Sequence, residues 1–174
     1  MGKLGHSTIS YRTVNHKGIG LAYGGAGIIG GITGTITSVI MRIELEATGT
    51  RLIDTSNLST YNLLTTLHGL LMIFFLIMPV LWGTFGNIYV PVLIGASEVT
   101  YPRINNLSIV LVPLAYIVTI GALTQEHSTG QGTGWTLYPT LSTSLSSLST
   151  LAIGSILTGL IISGSSSTLT SLNF

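Results

Sequence analysis

One histidine of this sequence lies inside a long apolar run, where its imidazole could bind a metal. His68 belongs to residues 67–81, which are otherwise continuously apolar. An ionisable group in a membrane-spanning segment is costly and by default marks a functional site. Imidazole ligates iron, copper or zinc through one ring nitrogen, and Gly69 leaves space beside it for a bulky group. Two interpretations stay open here: a metal ligand, or a neutral histidine hydrogen-bonded to a neighbouring helix.

A second group of residues with chemical potential surrounds Glu98. This acid stands shortly before Tyr101-Pro102-Arg103 and the amide pair Asn105-Asn106. Such a cluster ordinarily anchors a helix at the membrane interface, but a carboxylate beside amides and hydroxyls is also able to take up protons. Both interpretations are kept.

A glycine-rich stretch from Gly130 to Gly134 does not predict a nucleotide site. No lysine follows it and no strand precedes it, whereas a phosphate-binding loop needs both. Trp135 and Tyr138, directly after it, are typical of an aromatic belt at the membrane interface.

The composition shows what kind of fold must position these residues. The 174 residues include only 6 Lys and Arg and 5 Asp and Glu, or 6% charged, against about 25% in soluble domains. A hydrophobic content of 46% and a mean hydropathy of +0.66 exclude a disordered chain. The net charge of +1 gives no basic surface for nucleic acid, and the lack of cysteine excludes disulfides and thiolate sites.

The positions of the charges divide the chain into membrane-spanning segments. A helix needs about 20 apolar residues to cross about 30 Å of hydrocarbon, and the charge-free runs are long enough for four crossings. The run at 67–81 lacks the alternation of a β-barrel strand. We therefore predict one all-α membrane domain over residues 1–174, an integral membrane bundle of four transmembrane helices near 18–41, 61–85, 104–123 and 148–171.

The helices carry further signals. Glycines at 20, 24, 27, 31 and 34, with Gly30 beside them, form one stripe on helix one, which predicts a groove for a neighbouring helix or, alternatively, for a cofactor. Pro79 predicts a kink or an early end of helix two. From Thr140 to Phe174, 17 of 35 residues are Ser or Thr, which favours a buried position for helix four. Lys3, Arg12 and Lys17 place the N-terminus on the cytoplasmic or matrix-like side.

A series of motifs runs along the chain from about residue 14 to the C-terminus. The series comprises Asn15-His16-Lys17, Arg42-Ile43-Glu44-Leu45, His68 with Met72-Ile73-Phe74-Phe75, Tyr101-Pro102-Arg103-Ile104-Asn105-Asn106, and Gly132-Thr133-Gly134-Trp135-Thr136-Leu137-Tyr138-Pro139. In this order the motifs resemble the first third of the haem–copper oxidase catalytic subunit, most closely its mitochondrial form. The resemblance implies the first four of about twelve helices, in the mitochondrial inner membrane with the N-terminus on the matrix side.

The resemblance also implies roles for residues near the outer ends of the helices. His68 corresponds to an axial ligand of the low-spin haem a iron, Arg42 to the arginine that meets the haem formyl group, and Trp135 to a tryptophan nearby. Glu44 and the backbone carbonyl of Gly49 correspond to part of a calcium or sodium site, and oxygen ligands suit such cations. The family has Gln-Pro where this chain has Ala47-Thr48.

A proton-uptake path is implied as well. Glu98 stands where the family has an aspartate at the mouth of the path. The hydroxyl and amide residues that correspond to positions along the path are Tyr23, Asn87, Asn105, Ser108, Ser166, Ser167 and Asn173.

The resemblance implies a cytochrome c oxidase that reduces oxygen and pumps protons, yet this chain lacks part of the required ligands. Besides His68 it has only His6, His16 and His127, all outside the predicted helices. We therefore expect a partner chain with the remaining helices, which would carry the second haem a ligand, the copper and the second haem. The other expected partners are further oxidase subunits, cytochrome c and membrane lipid. The alternatives are a truncated chain, a non-catalytic structural or assembly subunit, and part of a quinol oxidase.

Overall fold

The computed structural model describes residues 15–49, 51–53, 58–125, 133–142 and 149–174. Within these residues every regular element is helical. The α-helices are His16–Glu44, Leu58–Leu70, Asn87–Ile94, Pro102–Ile120, Pro139–Ser142 and Ser149–Ser171, with π-helical segments Leu71–Ile77 and Pro79–Gly86 and a 3₁₀ helix Gly121–Gln125. Lys3, His6, Arg12, His127 and the glycines at 130 and 132 lie outside the described residues.

Four helices are long and apolar enough to cross a membrane, which confirms the predicted all-α membrane bundle. We call them the first to fourth spans: His16–Glu44, Thr60–Ile94, Pro102–Thr124 and Leu151–Ser171. Large apolar side chains such as Ile28, Leu93 and Ile161 are exposed on the outer surface of these spans. The sequence placed the four spans from the spacing of the charges alone.

The second span is longer than predicted and does not end at Pro79. It continues for 35 residues to Ile94, because the chain passes the proline in π-helical geometry. Pro79 is the first residue of the second π segment, and local π geometry lets a membrane helix accommodate the hydrogen bond that an interior proline removes. Of the two alternatives for Pro79, the early end is therefore excluded, in agreement with the predicted helix over 61–85.

The glycine stripe of the first span packs against the second span. A Cβ on Gly30 would lie 2.5 Å from the backbone oxygen of Phe75, and one on Gly27 would lie 2.7 Å from Val80 Cγ2. A Cβ on Gly34 would lie 2.7 Å from Met72 Sδ. The packing interpretation of the stripe is confirmed, since only glycine allows the two backbones to approach so closely.

The third and fourth spans pack against each other and against the second span. Their shared core contains Leu67, Phe75, Ala115, Ala152 and Ile156, all buried. The fourth span turns some hydroxyls inward and others outward: Ser166 and Thr170 are buried, whereas Ser165 and Thr168 are exposed and donate to carbonyls of their own helix. This helix is thus buried on one face within the described residues.

Candidate functional site

The second span holds the His68 ring against the first span. Its Nδ1 lies 2.8 Å from the carbonyl oxygen of Gly34 on the first span. Because a carbonyl oxygen only accepts hydrogen bonds, Nδ1 carries a hydrogen, and in the neutral ring Nε2 is then the nitrogen with the lone pair. This arrangement, a ring N–H fixed by a carbonyl with the other nitrogen open, is the one found in metal-ligating histidines.

A turn after the third span places Trp135 against Gly69, the residue that follows His68. The backbone N–H of Gly134 donates to Thr66 Oγ1 on the second span at 3.0 Å. A Cβ on Gly69 would lie 2.9 Å from Trp135 Cβ, so the space left by this glycine is filled by the tryptophan. The indole is 49% exposed, and its outer face is therefore open to a further group.

The predicted cation ligands lie where the first span ends. Glu44 accepts backbone N–H groups from the returning loop: Leu52 at 2.9 Å, Ile53 at 3.2 Å and Arg51 at 3.5 Å. Gly49 has a φ of +102°, in the left-handed region that favours glycine. The described residues contain no group of three or more His, Cys, Asp or Glu able to hold a metal. Arg42 is exposed in the last turn of the same helix.

At the opposite end of the bundle, Glu98 lies beside the start of the first span. Its Oε2 accepts the backbone N–H of His16 at 3.3 Å. His16 was predicted to lie outside the helices, but it is the first residue of the span and only 4% exposed. Its ring Nδ1 lies 2.8 Å from the carbonyl oxygen of Asn87 and therefore donates to it.

From Asn87 a buried chain of polar side chains runs into the bundle. Asn105 Nδ2 donates to Asn87 Oδ1 at 2.7 Å, and Ser108 Oγ donates to the Asn105 carbonyl at 2.7 Å. Tyr23 Oη donates in turn to Ser108 Oγ at 2.7 Å. Asn87, Asn105 and Ser108 are each 0% exposed, so these three side chains are fully buried within the described part of the bundle. Among the described residues Asn105 Oδ1 is the buried side-chain atom without a hydrogen-bond partner.

The fourth span completes this chain. Ser166 Oγ lies 3.4 Å from Tyr23 Oη and donates to the Ser108 carbonyl at 2.7 Å, and Thr170 Oγ1 lies 3.0 Å from Tyr23 Oη. We call the set of Glu98, His16, Asn87, Asn105, Ser108, Tyr23, Ser166 and Thr170 the polar chain. It ends at a cavity of about 330 Å³ that Tyr23, Ser166 and Thr170 line together with aromatic side chains.

Two of the predicted path residues are not joined to the polar chain. Ser167 is exposed and donates to the Ser163 carbonyl of its own helix at 3.2 Å, although it lines the cavity. Asn173 is buried, and its Oδ1 accepts the backbone N–H of Tyr101 at 2.8 Å. Asn173 therefore fixes the start of the third span.

Comparison with known proteins identifies the family of this chain. The sequence model of the family described as Cytochrome C and Quinol oxidase polypeptide I matches residues 18–174. The chain belongs to this family.

Relatives in this oxidase family carry the same subunit name. The cytochrome c oxidase subunit 1 of Plasmodium berghei is 50% identical over 160 residues, which cover 92% of this chain and 33% of the relative. That of Plasmodium falciparum is 48% identical over the same length and shares. That of Candida albicans is 40% identical over 130 residues, or 75% of this chain and 24% of the relative. The chain thus spans about a third of the length of the curated relatives it matches, at their N-terminal end.

Members of this oxidase family are haem–copper oxidases, so a haem is expected. The donor set of the described residues is compatible with one haem ligand: Nδ1 of His68 is hydrogen-bonded to the Gly34 carbonyl, and Nε2 has no protein partner. The other described histidine, His16, lies in the polar chain at the other end of the first span.

The structure adds His16 and Thr170 to the residues identified from the sequence. His16 lies in the motif Asn15-His16-Lys17, which precedes the first apolar run, and the sequence therefore predicts that it lies outside the helices. Thr170 follows Ser166 by four residues, so helical periodicity alone places both on one face. That periodicity was the available signal.

Proposed function

We propose that this chain supplies one ligand of haem a and the lower proton-uptake path of a cytochrome c oxidase. The observation that carries the proposal is the hydrogen bond from His68 Nδ1 to Gly34, which leaves Nε2 for the iron. The relatives named cytochrome c oxidase subunit 1 favour cytochrome c over quinol as the electron donor.

The residues around His68 would hold and orient the haem. A bound haem a accepts and passes on one electron at a time. The Gly34 carbonyl fixes the imidazole plane and makes the ligand more basic, and Trp135 limits water access on the side of Gly69. Arg42, at the end of the first span, would meet the haem formyl group with its guanidinium.

The polar chain would take up protons for oxygen reduction and pumping. Glu98 is exposed and so is able to exchange protons with water, and the amides and hydroxyls behind it supply hydrogen-bond partners in a region without lipid access. The partnerless Asn105 Oδ1 provides one further acceptor for a water molecule in this path.

The remaining ligands would come from the part of the catalytic subunit that carries the later helices, with the copper, the second haem and the second haem a ligand. Four apolar spans support a multi-pass protein, for which we propose the mitochondrial inner membrane with the N-terminus on the matrix side. Glu44 and the Gly49 carbonyl are proposed as ligands of a calcium or sodium ion on the outer side.

A reduced-minus-oxidised spectrum of the native assembly tests the haem ligand. His68→Ala is expected to abolish the haem a band, because the other described histidine, His16, lies at the opposite end of the bundle. Thr65→Ala, an exposed position on the same helix, is the matched control and should keep the band. An unchanged band in His68→Ala would refute the ligand assignment.

Mass spectrometry of the same purified assembly tests the source of the remaining ligands. We expect peptides that match the later helices of the subunit. Their absence from an assembly that shows the haem a band would contradict this source, while leaving the role of His68 intact.

A further inference from the structure

The hydroxyl of Thr170 has two acceptors at nearly equal distances. Oγ1 lies 3.0 Å from Tyr23 Oη and 3.1 Å from the carbonyl oxygen of Ser166. The side chain is 5% exposed, so these two protein acceptors are the ones that the described residues offer its hydrogen. A rotation about the Cβ–Oγ1 bond moves the hydrogen from one acceptor to the other.

The other two hydroxyls around Tyr23 do not have this choice. Ser108 donates to the Asn105 carbonyl and Ser166 donates to the Ser108 carbonyl, each at 2.7 Å. Both hydrogens are therefore held by short bonds to backbone oxygens. Ser166 is also the most distant of the three from Tyr23 Oη, at 3.4 Å.

We propose that Thr170 is a positioning residue of the proton path, which sets the direction of the Tyr23 O–H bond. When Thr170 donates to Tyr23, the tyrosine hydrogen points to Ser108, on the side of the polar chain that leads to Glu98. When Thr170 donates to the Ser166 carbonyl, its oxygen is free to accept from Tyr23, and the tyrosine hydrogen turns towards the fourth span. This inference rests on the proposed proton-uptake role of the polar chain.

The two orientations have a consequence for repeated proton transfer. A hydroxyl that accepts a proton on one side and passes its own hydrogen to the other is left reversed, so Tyr23 transmits the next proton only after its O–H bond turns back. Thr170 offers Tyr23 a partner in both orientations, as an acceptor in one and a donor in the other. Without that hydroxyl, one of the two orientations loses a buried hydrogen bond.

The test compares variants of the native assembly, with turnover and pumped protons counted per haem so that lower yield is not read as slower turnover. Thr170→Val keeps the shape and removes the hydroxyl. We expect turnover about two- to tenfold slower, the range that corresponds to one buried hydrogen bond, and a larger solvent isotope effect. Thr170→Ser should restore both values, and Thr170→Ala serves as a second deletion variant.

Thr168→Val is the matched control, because Thr168 is exposed and its hydroxyl donates to Gly164 of its own helix at 3.0 Å. In a Tyr23→Phe background, Thr170→Val should cause no further loss, since Thr170 is proposed to act through the tyrosine. Additive slowing in that background, or a Thr170→Val turnover equal to that of Thr168→Val, would overturn the inference.

Failure of this inference is distinguishable from failure of the proposed function. If Glu98→Gln and Tyr23→Phe slow turnover while both deletions of the Thr170 hydroxyl leave it unchanged, Thr170 has no positioning role and the path stands. If Glu98→Gln and Tyr23→Phe also leave turnover and pumping unchanged, the polar chain is not the proton path and both proposals fall.

Discussion

The carboxylate of Glu98 accepts the backbone N–H of His16, a residue 82 positions earlier in the chain, at 3.3 Å. This bond joins the loop before the third span to the first residue of the first span. It also places an exposed acid at the backbone of His16, whose buried ring donates from Nδ1 to the Asn87 carbonyl. The mouth of the polar chain is thus assembled from three separate segments.

Glu98→Gln should slow proton-coupled turnover. The amide oxygen of glutamine still accepts the His16 N–H, so the fold is kept while the group that binds and releases protons is lost. We expect turnover at least about tenfold slower, at the low end for removal of a proton-transfer group, measured as oxygen consumption with proton release. Glu46→Gln, an exposed acid after the first span, is the control. Normal turnover and pumping in Glu98→Gln would exclude this entry point.

Gly30→Ala should prevent close packing of the first two spans. The new Cβ would meet the Phe75 carbonyl at 2.5 Å for the oxygen and 2.9 Å for the carbon, and backbone in the middle of a helix has no room to shift. We expect a loss of about 1–3 kcal/mol, seen as a lower thermal midpoint of the assembly. Gly25→Ala on the same helix meets nothing within 4 Å and should be tolerated. Equal stability of the two variants would contradict this packing.

Gly69→Ala should displace Trp135. Its Cβ would approach Trp135 Cβ to 2.9 Å and Cγ to 3.1 Å, and the turn that carries the tryptophan is held by the Gly134–Thr66 hydrogen bond. We expect a displaced haem a band with its area retained, and destabilisation of about 1–3 kcal/mol by overpacking. Gly154→Ala, where a Cβ meets nothing within 4 Å, should leave the band in place. A haem a band that stays in place in Gly69→Ala would refute the effect of this contact on the haem.

Glu44→Gln should loosen the loop after the first span. The carboxylate accepts the N–H groups of Leu52, Ile53 and Arg51, and hydrogen bonds to a charged acceptor are stronger than those to an amide. We expect faster limited proteolysis within residues 45–53 of the assembly. Glu46→Gln is again the control, and cleavage at the wild-type rate in Glu44→Gln would show that these bonds do not hold the loop.

Part of the site was predictable because it depends on local features. His68 is recognisable as an ionisable residue in an apolar run, and the glycine stripe follows from 3.6 residues per turn. The membership of Tyr23, Asn87, Asn105, Ser108 and Ser166 in one set came from the family resemblance, and the structure brings their side chains within hydrogen-bond distance. Ser167, one residue from Ser166, faces away because neighbours in a helix point about 100° apart.

The spacing of the charges is enough to predict a helical membrane protein with four spans, because crossing hydrocarbon requires long stretches without charge and the eleven charged residues leave four of them. The packing of the helices determines that the second span reaches Ile94, that His16 is buried, and which hydroxyls meet at Tyr23. These outcomes depend on the distance and rotation between helices. Those in turn are set by how closely side chains such as Phe75, Met72 and Val80 pack against glycines far away in the chain, which no local pattern encodes.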